Sequence, residues 1–294
     1  MHYNGPIVRP YTDAQSLMVE VTVGCTHNSC TFCNFYQGYP FHVAPLAQIE
    51  ADLQEAARYN PGIRQIWASG GNPYALSTEK LLEIGALMKK YFPKARISTY
   101  ARVDDLCRKS VAEMRELKEA GFADIVIGIE SGYDPVLKAV NKGYTAQDIL
   151  TGCQRLEEAG VAYRIIYLGG LAGHGQGEKA ALASAKLISQ LHPYYMFLST
   201  VAVLPGTKLY QQVQKREFQE ASERERFQEF RTLLAKMDNH LVVDSRSVAN
   251  MVPFVAELPK NKKQVLQLLD NVIASLDDKE EAVLHARRSR LLSV

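Results

Sequence analysis

Leu17-Met18-Val19-Glu20-Val21-Thr22-Val23 is a short run rich in β-branched residues that passes straight into Gly24 and then Cys25-Thr26-His27-Asn28-Ser29-Cys30-Thr31-Phe32-Cys33. The first stretch has the composition of a buried strand, and the glycine ends it. Three cysteines therefore sit in a loop that leaves the C-terminal end of the first strand. Upstream lies a lead-in broken by Pro6 and Pro10. Downstream, Ile49, Leu53 and Ala56 fall at helical spacing within residues 45–59, and residues 65–68 form a second apolar run.

The alternation continues along the chain. Helices are predicted over 78–91, 110–120, 146–159 and 178–191, and strands over 96–100, 124–129, 162–168 and 195–203. Six strands separated by helices imply a parallel sheet, because each right-handed crossover lays its helix over the sheet. The pattern fits an open, doubly wound sheet and an incomplete barrel equally well. Both collect ligands at the C-terminal ends of their strands. The unusual residues fall there: the cysteines after strand one, Ser69-Gly70-Gly71-Asn72 after strand two, Arg102 after strand three, and Glu130-Ser131-Gly132 after strand four. From Pro205 onward the alternation stops and charged helical segments over 215–237 and 261–276 are expected instead, giving two domains, 1–210 and a helical extension, 211–294.

Composition narrows the function classes. The 294 residues suit one α/β barrel with a small appendage. With 34 Lys and Arg against 32 Asp and Glu, no global field favours nucleic acid or anionic lipid, and no nucleic-acid domain is evident. Arg287, Arg288 and Arg290 make the tail locally basic and read as a solvated helix end. No run approaches the roughly 20 apolar residues that span a bilayer, and no secretory core opens the chain, so a cytoplasmic protein away from membranes is expected. Five cysteines, three of them within nine residues, suit a metal centre in a reducing compartment better than disulfides.

Three thiolates on one tight loop suffice for three irons of a cubane cluster, leaving the fourth iron open. An open coordination position marks catalysis rather than structure. Cys107 and Cys153 lie in predicted helical segments without neighbouring ligand signatures and read as structural small residues. His27 is a further ligand candidate within the loop.

At this point the residues carry a resemblance. A three-cysteine loop after strand one, with an aromatic residue, Phe32, before the last cysteine, resembles that of the radical S-adenosylmethionine superfamily. The branch it resembles includes oxygen-independent coproporphyrinogen oxidases and tRNA methylthiolating enzymes. Four residues separate Cys25 from Cys30 and two separate Cys30 from Cys33, against the commoner three then two, so His27 and Asn28 bulge the loop. The resemblance covers roughly residues 15–210 and implies a partial (β/α)6 TIM-like barrel with a C-terminal helical extension.

What the resemblance implies for the site is specific. Cys25, Cys30 and Cys33 would hold a [4Fe-4S] cluster, and S-adenosyl-L-methionine would occupy the open iron. Ser69, Gly70, Gly71 and Asn72 form the glycine-rich turn that receives the methionine amino group. Asn72 stands where the family has Glu, giving a weaker acceptor. Tyr100 and Arg102 follow strand three. Glu130, with Ser131, would accept from the ribose hydroxyls, unless it forms an ion pair with Arg102 or Lys142. Arg164, in an otherwise apolar strand, would pair with the methionine carboxylate. Leu204, in Leu204-Pro205-Gly206-Thr207, would lie beside the adenine. The glycines from Gly169 to Gly177 lack both the P-loop and the dinucleotide spacing, which removes nucleotide binding of those kinds.

The activity so implied is reductive cleavage of S-adenosylmethionine to a 5′-deoxyadenosyl radical that abstracts hydrogen from an unknown substrate, with flavodoxin or ferredoxin as electron donor. No second cysteine cluster, cobalamin-binding segment or RNA-binding extension is evident. Two readings from other classes compete: a structural or regulatory zinc protein using Cys25, Cys30, Cys33 and His27, and an iron–sulfur electron carrier whose cluster never meets the cofactor. His174, Tyr194, Tyr195, Asn250 and the C-terminal helices are candidates for the substrate side.

Overall fold

The computed structural model describes residues 1–292. These divide into two compact units, the first formed by Met1–Asn28, Phe35–Gly128 and Thr151–Tyr163, the second by Ser29–Asn34, Ile129–Leu150 and Arg164 onward.

In the first unit, β1 (Leu17–Glu20), β4 (Gln65–Ser69), β5 (Arg96–Ala101) and β6 (Phe122–Glu130, its last two residues belonging to the second unit) lie side by side in that order, every neighbouring pair parallel. The predicted first strand is broken at Val21. β1 pairs with β4, while β2 (Thr22–Val23) turns away to pair antiparallel with β3 (His42–Val43). Parallel strands need crossovers, supplied here by α1 (Leu46–Tyr59), α2 (Thr78–Tyr91), α3 (Val103–Cys107) and α4 (Val111–Glu119). Their starts are written in the sequence. Pro45 precedes α1, the Ser77 side chain accepts from the Lys80 amide at α2, and Ser110 with Glu113 forms a capping box at α4. Ile66, Trp67, Ile97, Ile125 and Ile127 are fully buried, as strands covered on both faces require.

The second unit contains α5 (Asp134–Ala139), most of β7 (Ala162–Gly169), α7 (Gly177–Ile188), β8 (Tyr195–Thr200), α8 (Lys208–Gln214) and α9 (Glu223–Lys236). α6 (Ala146–Glu158) runs across the division in the chain. The segment expected to be purely helical also contains two strands, β9 (Leu241–Asp244) and β10 (Val255–Leu258), followed by α10 (Lys262–Ser275) and α11 (Asp278–Ser289). β7 pairs parallel with β8, β8 parallel with β9, and β9 antiparallel with β10. The β/α alternation therefore runs one unit further than the sequence pattern indicates, with α9 as the crossover between β8 and β9. α9 buries Phe227, Phe230, Leu233 and Leu234 and packs against α7 and α10.

One reading of the tail is corrected. Arg287 and Arg290 are exposed, but Arg288 is buried and donates to both carboxylate oxygens of Glu223, at 2.7 and 2.6 Å. No helix among the described residues is long and apolar enough to cross a membrane.

Candidate active site

The cysteine loop belongs to both units: Cys25 to the first, Cys30 and Cys33 to the second. Each flank is anchored within its own unit.

In the first unit the glycine-rich turn after β4 lies directly on the start of the loop. The Gly71 amide donates to the Gly24 carbonyl at 3.0 Å. A Cβ on Gly71 would meet that oxygen at 2.5 Å and the Cys25 Cβ at 2.7 Å. Gly70, at φ +147°, is similarly closed off, since its Cβ would stand 2.0 Å from the Thr22 hydroxyl. The turn needs glycine for close approach of two backbones. Replacing Gly71 with Ala is accordingly expected to push Cys25 out of place. Iron and sulfide analysis after anaerobic reconstitution should show at least a tenfold loss of bound cluster with far-ultraviolet circular dichroism unchanged. Normal cluster content would show that this contact does not set the loop.

Asn72 is fully buried, and its side chain binds protein groups. Its Oδ1 accepts from the Thr26 amide at 3.0 Å, and its Nδ2 donates to the Thr26 hydroxyl at 2.7 Å and to Asp105 Oδ2 at 2.9 Å. Both amide protons are thus occupied, leaving only an Oδ1 lone pair for another donor. The same Asp105 oxygen accepts from the Arg102 amide at 2.8 Å, within a capping box that starts α3. Burial pushes the Asp105 carboxyl up to about 6, against the opposing pull of the Asn72 and Arg102 hydrogen bonds. Arg102 is buried, with its Nε 2.9 Å from Asp104 Oδ1. Tyr100 is half-buried and meets Trp67 edge to face at 4.9 Å. The Ser69 carbonyl accepts from the Val21 amide, bridging the break between β1 and β2.

In the second unit the other flank of the loop is fixed by backbone groups. The Thr31 amide donates to the Val140 carbonyl at 3.0 Å, the Leu209 amide donates to the Thr31 carbonyl at 2.8 Å, and Asn141 Nδ2 donates to the Ser29 carbonyl at 3.1 Å. Glu130 stands at the end of β6 with φ +60°, a left-handed conformation that costs a residue with a Cβ about 1–2 kcal/mol. Its Oε1 accepts from Lys142 Nζ at 2.8 Å, and both side chains are buried. The ion pair with Lys142 is therefore present, and Oε2 is the oxygen without a protein donor among the described residues. Burial alone would lower the Lys142 pKa, but the charge of Glu130, and more weakly Tyr144 and Cys30, holds it above its ordinary value.

Ser131 is buried, and its hydroxyl accepts from the Tyr133 amide at 3.2 Å. The adjacent Gly132 amide donates to Ser184 Oγ at 2.7 Å. Arg164 lies in β7 and is buried, with its guanidinium 5.8 Å from the centre of the Phe197 ring. Phe32 is half-buried, with Lys142 Nζ 5.6 Å from its ring centre. Leu204 is buried, and its carbonyl accepts from the Thr207 hydroxyl at 2.7 Å. Of the substrate-side candidates, Asn250 is buried and bonds to Thr200 and the Leu198 carbonyl, and His174 pairs with Glu225. Tyr195 donates to Asp244.

Sequence reasoning passed over Thr26, Asp105 and Asn141, and gave Lys142 only as a possible ion-pair partner. Short polar residues in loops carry no periodic signal. Asp105, at the third position of a short helix, was the one with a legible cue.

Comparison with known proteins decides the family. A sequence profile of the Radical SAM superfamily matches residues 19–188, more than half of the chain. The chain belongs to the radical SAM superfamily. It is similar to the heme chaperone HemW of Bacillus subtilis (strain 168), 24% identical over 227 residues that cover 74% of this chain and 58% of that one. It is also similar to the uncharacterized protein MJ0486 of Methanocaldococcus jannaschii, 27% identical over 220 residues covering 70% of this chain and 66% of that one. The chain thus matches about two thirds or less of these relatives' lengths. Among solved structures, coproporphyrinogen III oxidase (HemN) from Escherichia coli, a radical SAM enzyme, gives a TM-score of 0.56 at 19% identity, covering 75% of this chain and 51% of that one. The cobalamin-dependent S-adenosylmethionine radical enzyme OxsB gives 0.59 at 15% identity, covering 92% and 45%. Likeness at such identities shows the fold, the partial TIM-like barrel of radical SAM enzymes.

The superfamily to which the chain belongs uses a [4Fe-4S] cluster and S-adenosylmethionine. The donor set fits the cluster. Cys25 and Cys30 are half-buried, Cys33 is exposed, and none of the three is in a disulfide. No three His, Cys, Asp or Glu side chains among the described residues gather as a site for a single ion. A cubane asks for one thiolate per iron, and three cysteines on one loop can supply that for three of its irons. Cys153, by contrast, is fully buried, and burial raises its thiol pKa.

Proposed function

We propose that Cys25, Cys30 and Cys33 hold a [4Fe-4S] cluster at which this chain reductively cleaves S-adenosylmethionine. The observation that carries this reading is the packing of Gly71 against Gly24 and Cys25, which fixes the cluster loop on the glycine-rich turn after β4. When bound, the cluster and cofactor supply a 5′-deoxyadenosyl radical, and hydrogen abstraction from a substrate carbon follows in this superfamily.

The chain's own residues divide the remaining tasks. Asn72 braces the loop through Thr26, and its Oδ1, with the backbone of Ser69, Gly70 and Gly71, is offered to the methionine ammonium. Arg164 supplies a two-pronged cation for the carboxylate. Glu130 pairs with Lys142 through Oε1 and presents Oε2 to the ribose, with Tyr100, Arg102, Ser131 and Leu204 lining the rest. The electron donor is a flavodoxin or ferredoxin, which places the reaction in the cytoplasm. Neither the zinc nor the electron-carrier reading finds support in the comparisons.

The test is direct. Reconstituted, dithionite-reduced protein incubated anaerobically with S-adenosylmethionine is expected to form 5′-deoxyadenosine and methionine in equal amounts, slowly and without added substrate. Methylthioadenosine or S-adenosylhomocysteine as the only product, with no deoxyadenosine, would reject the proposed cleavage.

A further inference from the structure

Two segments of the first unit meet at β2, the strand that leads into Cys25. One is the lead-in: a Cβ on Gly5 would stand 2.7 Å from Val23 Cγ1, and the Tyr3 hydroxyl donates to the Met18 carbonyl at 2.9 Å. The other is residues 36–43, whose last two residues pair with Thr22 and Val23 as β3. This second segment is also fixed to the start of the cluster loop. Asn28 Nδ2 donates to the Tyr36 carbonyl at 3.0 Å, and a Cβ on Gly24 would meet the Phe41 nitrogen and the Tyr39 carbonyl oxygen at 2.9 Å. Tyr36 is buried, but residues 37–42 are all exposed. Between them the two segments expose Tyr3, Ile7, Tyr11, Tyr39 and Phe41, from 36% for Phe41 to 43% for Ile7. Single exposed apolar side chains are ordinary, whereas a group of them on joined segments marks a contact surface. Its charge is one-sided. Residues 1–45 contain only two carboxylates, Asp13 and Glu20, and both are buried, Glu20 accepting from the Asn4 amide, the Asn4 side chain and the Gly5 amide. Arg9 and His42 are exposed.

We propose that this face docks an acidic flavodoxin, with Tyr39 and Phe41 against the apolar edge of its flavin and Arg9 facing its carboxylates. The inference rests on the cluster assignment made above and names the surface through which the electron enters. Tyrosine and phenylalanine are enriched at interfaces, and a surface that shows cations and no carboxylate selects a partner of negative charge. Its extent also fits. Electron-transfer encounters bury little surface, below about 1,200 Å², whereas an obligate dimer of this chain would ask for far more apolar area than five partly exposed side chains offer. The step moves one electron and no atom: the carrier's flavin hydroquinone is oxidised by one electron, and the cluster is reduced by one.

The experiment compares two reductants on the full chain, reconstituted anaerobically, by stopped-flow absorption of the cluster: a bacterial flavodoxin held as its hydroquinone, and dithionite. The double variant Tyr39→Ser with Phe41→Ser is expected to slow reduction by flavodoxin by on the order of tenfold, and to leave reduction by dithionite at the parent rate. Arg9→Glu should slow the flavodoxin reaction as well, Arg9→Lys should not, and the parent's flavodoxin rate should fall as salt is added. A flavodoxin rate that the double variant leaves unchanged overturns the inference. So does an equal loss with both reductants, which would place the aromatic residues at the cluster rather than at a docking face. Sedimentation of the parent and the double variant tests the other occupant, and a dimer that only the parent forms, with flavodoxin rates equal, assigns the face to a second copy of the chain. If the double variant assembles no cluster, Arg9→Glu decides, and a flavodoxin rate equal to the parent's overturns the docking face. A parent without iron and sulfide instead rejects the cluster assignment itself.

Discussion

Alanine at Cys25, Cys30 or Cys33 is expected to leave the reconstituted protein without its cluster, while alanine at Cys107 or Cys153 leaves cluster content unchanged. The first three share one loop whose two flanks are tied down by independent hydrogen bonds, through Gly71 and Asn72 on one side and Val140, Asn141 and Leu209 on the other. A cubane with only two protein thiolates has lost one of its iron ligands. Cys153 is buried in α6 as a neutral thiol, and Cys107 closes α3, where its carbonyl accepts from Arg155 Nη1 at 2.7 Å. Cys153→Ala removes one buried sulfur and should cost about 1 kcal/mol of stability, a packing effect with no bearing on iron. Iron and sulfide per chain, together with the visible absorption of the cluster, provide the check. Loss of cluster in the Cys107 or Cys153 variant, or its full retention in any loop variant, would overturn the three-ligand assignment.

The six predicted strands and the loops that follow them are present because each rests on a local signal: a run of β-branched or aromatic residues long enough to stand alone, ended by glycine or a polar cluster. Leu241–Asp244 and Val255–Leu258 were not legible in this way. Each is four residues long, and what makes the first a strand is parallel pairing with β8, a contact distant in sequence. The break at Val21 has the same origin. Val21 donates to the Ser69 carbonyl and accepts from the Ala44 amide, so the chain changes pairing partner in the middle of a run that reads as one strand.

At the site, residue types were legible and their partners were not. Glu130 was correctly placed at the end of its strand, yet Lys142 lies twelve positions away beyond a short helix, and no spacing rule marks the pair. Asn72 stands out in the sequence as a substitution for an acidic residue. Its hydrogen bonds to Thr26 and Asp105 depend on two loops and the first turn of α3 arriving together. Arg288 was misread because a basic helix end is ordinarily solvated, and nothing local reveals that Glu223 reaches it.

That buried pair supports the largest stability effect expected here. Glu223 is 1% exposed, accepts two hydrogen bonds from Arg288, and lies 3.9 Å from the Nε of Arg226, itself buried in α9. Arg288 also donates to the Ala249 carbonyl, and Arg226 to the carbonyls of Ala221 and Val201, so neither guanidinium is free to swing into water without breaking further bonds. Burial, reinforced by the neighbouring Arg288, already pulls the Arg226 pKa down to about 10. Removing the Glu223 carboxylate leaves Arg226 its 3.2 Å pair with Glu220 but strips Arg288 of its carboxylate partner while it stays buried near a like charge. Glu223→Ala should therefore cost about 3–5 kcal/mol, the range for breaking a buried pair by deleting one partner. Arg287→Ala, next to Arg288 but exposed, should stay within ~0.5 kcal/mol of the parent. The double change Glu223→Leu with Arg288→Met removes the pair without stranding Arg288 and should recover much of the loss, since apolar replacement of a buried pair is often nearly neutral. Urea unfolding of the four proteins, followed by circular dichroism at constant pH and salt, measures all three differences. An effect of Glu223→Ala no larger than that of Arg287→Ala would show that Arg288 finds water or another partner when Glu223 is gone, and that this network does not hold the C-terminal helix in place.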